Sequence, residues 1–304
     1  SLRCNWVVAM AQTGFGMTVV TQLLCLPIAW VGMLYMQQDS LIYHPREYHD
    51  PLGDTVLPEG MEASELRFAT TDGNQSAVVL RQGSARPSRV YLTFGGNAML
   101  ARDWLQIIAP QYQHQPAWNS FAFVFVDYPG FGSSGGGPSQ ASIGRASQAA
   151  LNAVVENVLQ GDVEGIQLGA LGHSIGCAAA IQFADLQSGT LPLDHIVLSA
   201  PFTSLASEAQ EMMAPLKFVP VSLIALLSSR NAWDNLGTVE RLAASPTRPR
   251  IDIIHGTRDS IVPHKFGQDL SEHCTAVGLQ TTFKSVAADH NDLLSHPDFE
   301  EWLH

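Results

Sequence analysis

A serine flanked by glycines, Gly172-His173-Ser174-Ile175-Gly176, follows the apolar run Ile166–Leu171 and precedes the small-residue stretch Cys177–Ala184. Where a strand turns straight into a helix, a serine at the turn takes a strained backbone conformation and its Oγ projects clear of the sheet. Glycines at 172 and 176 let strand and helix approach closely. Ser174 is thus the expected nucleophile, and the expected chemistry is attack on a carbonyl. A serine hydroxyl needs a base to accept its proton, and the base needs a carboxylate to fix its tautomer.

In a parallel sheet such groups gather at the carboxyl ends of strands. The β-rich run Ile251–His255 leads into a loop ending in Asp259, and Phe283–Val286 leads into a loop carrying His290. Serine, aspartate and histidine arrive in the order expected of one fold of this kind. His173 and His255 are rival bases, but one lies inside the serine turn and the other on the strand before the acid. Asp289 and Asp292 are rival acids, too close in sequence to His290 for easy edge-on geometry. Asp259 also has a plainer reading, as the cap of a helix starting near Pro263. For the oxyanion, the expected donors are the N–H of Ile175 and that of Asn97, in the loop Gly95-Gly96-Asn97-Ala98 after Val90–Phe94. The glycine-rich stretch Asp127–Gly137 lacks the lysine of a phosphate loop and opens no helix, so it reads as a flexible pocket wall.

Short β-rich runs are predicted at Leu66–Thr70, Ala77–Gln82, Arg89–Phe94, Phe121–Asp127, Ile166–Leu171, His195–Ser199, Ile251–His255 and Thr281–Val286. Helices are predicted at Ala101–Gln113, Ser142–Leu159, Ile175–Gln187, Val239–Ala244, Pro263–Val277 and Asn291–Leu303. Alternation of this kind implies an α/β fold with an eight-stranded, mostly parallel, doubly wound sheet covered by helices on both faces. The first two runs have no helix between them and are expected to form an antiparallel hairpin. Between about residues 203 and 235 the alternation stops, and the apolar sequence MMAPLKFVPVSLIALLSS (Met212–Ser229) is expected to form a small helical lid over the site. A helix pair packed on the body is the plainer alternative.

The amino terminus differs in kind. No charged residue lies between Arg3 and Asp39, and Met17–Met36 is about the length needed to cross a bilayer core. Residues 1–38 are therefore expected to be a membrane anchor and 39–304 the α/β domain, with the side of the membrane open. Ser1 in place of an initiator methionine suggests a fragment or a processed chain. The formal net charge of -12 argues against nucleic acid as a partner. Four scattered cysteines and eleven histidines show no metal-ligand spacing. No cofactor or metal is expected.

Taken together these residues resemble the α/β-hydrolase superfamily. Within it the chain is similar to a membrane-anchored group marked by Gly96-Asn97-Ala98, Asp127 through Ser133, Gly172 through Gly176, Pro201-Phe202-Thr203-Ser204 and His290-Asn291-Asp292, after a Leu41-Ile42-Tyr43-His44-Pro45 lead-in. The match spans roughly residues 40 to 304. Gly95 departs from it, since many relatives have histidine there. The resemblance implies a serine hydrolase of esters, thioesters or, less often, amides, with Ser174, His290 and Asp259 as triad. Such relatives include lysophospholipid and monoacylglycerol lipases, protein depalmitoylases and peptidase-like members, so the substrate does not carry over. An acyl lipid or acylated protein at a membrane is the leading expectation. An aminopeptidase-like amidase, using Glu208 or Glu211 to hold a substrate amine, and a catalytically silent binding protein are the alternatives.

Overall fold

The computed structural model describes residues 29–48, 50, 52–83, 86–187, 191, 193–213, 221–297 and 303. One sheet runs through it, with strands β1 (Met61–Thr70), β2 (Gly73–Gln82), β3 (Arg89–Phe94), β4 (Phe121–Val126), β5 (Gln167–His173), β6 (Leu193–Ser199), β7 (Arg250–Gly256) and β8 (Thr281–Val286). Their spatial order is β1-β2-β4-β3-β5-β6-β7-β8. β1 and β2 form the expected antiparallel hairpin, β2 lies antiparallel to β4, and every later pairing is parallel. This is the α/β-hydrolase fold.

The central strands are apolar on both faces because helices cover both. On β4, Ala122, Val124 and Val126 enter one core layer, while Phe121, Phe123 and Phe125 enter the other. The first layer is completed by helices α3 (Gln140–Asn157), α4 (Ile175–Leu186), α7 (Asn235–Ala244) and α8 (His264–Ala276). The second is covered by α2 (Ala101–Ile108), whose Trp104, Leu105 and Ile108 are buried.

Two predicted helices are shorter than expected, and proline explains both. α2 stops at Ile108 and continues as a 3-10 helix from Ala109 to His114, because Pro110 supplies no backbone N–H to continue the α-helical ladder. The predicted Asn291–Leu303 helix is a 3-10 turn at Asn291–Ser295, closed by His296 in the extended conformation that a residue before proline prefers. Most of its remainder lies outside the described residues.

The expected membrane span Met17–Met36 lies mostly outside the described residues, and among those described no helix is long and apolar enough to cross a membrane. Residues 29–36 are helical and run on into α1 (Gln38–Ile42). The expected boundary at 38 falls inside a well-packed junction. Buried Gln38 accepts from Arg230 N at 3.2 Å, and Asp39 pairs with Arg230 at 3.0 Å. Asn231 is wholly buried and joins three parts of the chain. Its Oδ1 accepts from Tyr43 OH at 3.0 Å and Gln140 N at 2.7 Å, and its Nδ2 donates to Asp39. Trp233 Nε1 donates to Tyr43 OH at 2.9 Å, closing the cluster.

Asn231→Ala strands the Tyr43 hydroxyl and the Gln140 N–H in the interior, and each unsatisfied buried group costs about 1–3 kcal/mol. Urea denaturation should show the variant less stable by about 2–4 kcal/mol, with Tyr43→Phe milder.

Candidate active site

Strand order reverses at β3: the chain leaves it for β4 on one side and later adds β5 on the other. Loops after two such neighbours diverge and leave a crevice at their carboxyl ends. The Gly95–Ala98 loop and Ser174 both sit there, following the paired residues Phe94 and Gly172. Ser174 has φ 56 and ψ -124, the strained conformation expected of a nucleophile at a sharp turn. Its N–H donates to Ser199 O at 2.8 Å, and its carbonyl accepts from Cys177 N at 2.9 Å. Both flanking glycines are sterically required. A Cβ at 172 would overlap the Gly176 backbone, and one at 176 would overlap the carbonyl of Phe94.

The acid and base loops are zipped together by backbone. β7 and β8 pair as far as Gly256 and Val286, and Thr257 N and Arg258 N then donate to Val286 O and Ala288 O. Asp259 and His290 meet as a result: His290 Nδ1 lies 2.7 Å from Asp259 Oδ2, with both side chains buried. The two readings of Asp259 hold at once. Oδ1 accepts from Ile261 N at 2.9 Å and Val262 N at 2.8 Å, fixing the turn, while Oδ2 faces the histidines. Burial works to raise this carboxyl, but His255 and His290 outweigh it and hold Asp259 well below the usual carboxylate range.

The rival residues have other tasks. His255 Nε2 donates to Val262 O at 2.9 Å and lies 3.3 Å from Asp259, so it braces the acid. His173 faces Ser199 Oγ at 3.1 Å, its ring centroid 4.8 Å from that of His290. Burial, then the neighbouring His290, push its pKa down to about 3, leaving it neutral. Asp289 accepts from Ser260 N and His290 N, and Asp292 is exposed. Of the three candidate acids, only Asp259 therefore meets the His290 imidazole among the described residues. Among the described residues no hydrogen bond links Ser174 Oγ to His290, a contact that commonly tightens only with substrate.

Asn97 and Ile175 border the same cavity as Ser174. Neither backbone N–H has an acceptor among the described residues, and Ile175 opens α4, where the helix dipole adds positive potential. Asn97 Oδ1 accepts from His44 N at 3.0 Å, fixing the loop to the lead-in segment. Beside Gly95, the room for a side chain is taken by Met99 and Trp104.

The cavity measures about 430 Å³ and is mainly apolar. Helices α5 (Leu205–Met212) and α6 (Val221–Leu227), from the insertion, form one wall through Leu205, Ala209, Met212, Ile224 and Leu227. Residues 214–220 of that insertion lie outside the described residues. A further wall, made by Leu34, Gln38, Leu41, Ile42 and His44 of the lead-in, has no local signature in the sequence. The Asp127–Gly137 loop is not a flexible pocket wall. It is pinned to the lead-in and the start of β2 by Gly132 N to Arg46 O at 2.8 Å and Gly135 N to Asn74 O at 2.7 Å. Asp127 within it is buried, accepting from Ala101 N at 2.8 Å and from Tyr48 OH. No group of side chains that could hold a metal occurs among the described residues.

Comparison with known proteins agrees with this fold. A profile described as "Serine aminopeptidase, S33" matches residues 114–235. An esterase of Pyrococcus furiosus superposes with a TM-score of 0.62 at 15% identity, covering 86% of this chain and 95% of that one. Carboxyl esterase 2 of Tuber melanosporum gives 0.59 at 19%, covering 85% and 87%. Among sequence relatives, an uncharacterized protein of Salmonella typhi, YfhR, is 28% identical over 238 residues, 73% of each chain.

Two outcomes follow from this geometry. Gly176→Ala should lower unfolding free energy by about 3 kcal/mol or more, since overpacking against backbone leaves little to relax. The contribution of Asp259 should be fully present above the ordinary carboxylate range of about pH 4 and be lost as pH falls toward its depressed folded value. The stability gap between wild type and Asp259→Asn, measured in urea, should therefore shrink steadily below about pH 4.

Proposed function

We propose that this protein is a serine hydrolase of acyl esters or thioesters, acting through an acyl-enzyme. The Asp259–His290 pair at the rim that carries a strained Ser174 is the observation that carries the reading. Ser174 Oγ attacks the acyl carbonyl while His290 takes its proton. Asp259 holds His290 with Nε2 facing outward and stabilises the imidazolium. The N–H groups of Asn97 and Ile175 receive the oxyanion, which is where electrostatic stabilisation contributes most. His290 then returns the proton to the leaving alcohol or thiol, and water activated by the same imidazole releases the acid.

The esterases among the solved structures that it resembles and the match to a serine aminopeptidase profile support this class of reaction. An acyl lipid or an acylated protein is the proposed substrate, because the Ser174 cavity is walled by aliphatic and thioether side chains. The charge-free stretch before Asp39 supports a membrane location for this chain.

A fluorophosphonate should label Ser174 in the folded protein and no residue in Ser174→Ala. Hydrolysis of p-nitrophenyl butyrate should fall by about 10³-fold or more in Ser174→Ala and in His290→Ala. Folded wild type that neither labels nor turns over the ester would refute the reading.

A further inference from the structure

Among the described residues, Glu208 is the one acidic side chain that lines the cavity containing Ser174. It is 7% exposed, and its Oε2 is buried with no partner among the described residues. The cavity's other polar groups are largely engaged. Gln38 Nε2 donates to Tyr35 O and its Oε1 accepts from Arg230 N, Ser228 Oγ donates to Ile224 O, and Asn97 Oδ1 accepts from His44 N. Glu211, a turn further along α5, is half exposed and occupied by Lys265 at 2.8 Å. An unpartnered buried carboxyl is costly, so a group kept in this position needs a compensating contact.

We infer that Glu208 is the polar anchor of the substrate cavity, donating a hydrogen bond to a neutral oxygen of the acyl substrate bound beside Ser174. This rests on the hydrolase reading and narrows it to substrates with an oxygen beyond the scissile ester: the free hydroxyl of a partly esterified polyol, or the carbonyl of a second ester. A protonated form available up to about neutral pH follows from the surroundings. Among the described residues, the charged groups that act on Glu208 are Asp259 from the loop after β7, Glu211 on its own helix and Lys265 on α8. Burial, then Asp259 and Glu211, push its pKa up to about 7 against the opposing pull of Lys265. A proton on Glu208 makes it a donor and removes a negative charge from the cavity in which the oxyanion forms. Ionisation removes the donor and opposes the oxyanion, so activity should decline as pH rises through neutrality.

The test compares kcat/KM of the full chain on ethyl butyrate, 2-hydroxyethyl butyrate, ethylene glycol dibutyrate and butyrylcholine. Wild type should favour one or both oxygen-bearing neutral esters over ethyl butyrate by about tenfold, the usual worth of one buried hydrogen bond. Preference for the hydroxyethyl ester identifies the hydroxyl as the source, and preference for the diester identifies the second carbonyl. Glu208→Gln, still a neutral donor, should keep the preference and lose the decline above pH 7; Glu208→Leu should lose the preference. If Glu208→Leu does not fold, the Glu208→Gln pH profile still decides. An unchanged pH profile in Glu208→Gln overturns the inference, as does undiminished preference in a folded Glu208→Leu. Preference for butyrylcholine that vanishes in Glu208→Gln also overturns it, making Glu208 a cation site. Wild type that hydrolyses none of the four esters and takes no fluorophosphonate label at Ser174 refutes the hydrolase reading itself.

Discussion

Backbone pairing that continues past the ends of β7 and β8 is what the candidate site depends on. Thr257 and Arg258 donate across to Val286 and Ala288, so the two loops emerge in register rather than wandering independently. Two residues 31 apart in sequence are thereby held at hydrogen-bond distance. The same economy operates at β3 and β5, where Phe94 and Gly172 are paired and α4 packs hard against them. In each case main chain sets the position and side chains only refine it. Main-chain positioning of this kind loses little when surrounding side chains change.

Around that frame the interior is largely apolar, and its polar atoms are assigned with little redundancy. Asp259 divides its two oxygens between a turn and a histidine. His255 supports the acid from behind, and His173 is kept uncharged next to His290, which spares the imidazole a cationic neighbour. Asp127, far from the chemistry in role, ties the start of α2 to the lead-in tyrosine and so steadies the loop that carries Asn97. The arrangement concentrates charge where a proton moves and leaves the rest of the cavity apolar.

Much of this was legible from local pattern. Ser174, Asp259 and His290 each follow a β-rich run, and the strand periodicity located β3 and β8 to the residue. Helix ends were less legible: the apolar pattern of α2 runs past Pro110, and only the missing N–H interrupts it. The Asp127–Gly137 loop misled because glycine content reports conformational freedom, whereas the structure uses it for close approach to residues 46 and 74. The second cavity wall left no trace, since the contact between Gln38 and Arg230 spans 192 residues and has no local signature. Glu208 and Glu211 were indistinguishable as sequence; only burial and the lysine on α8 separate them.

The lead-in is also a mechanical element. Gln38, Asp39 and Tyr43 are bolted to Arg230, Asn231 and Trp233 at the root of the insertion, while Leu34 and Leu41 face the cavity. The lead-in thus joins the two sides of the chamber directly, without a path through the sheet.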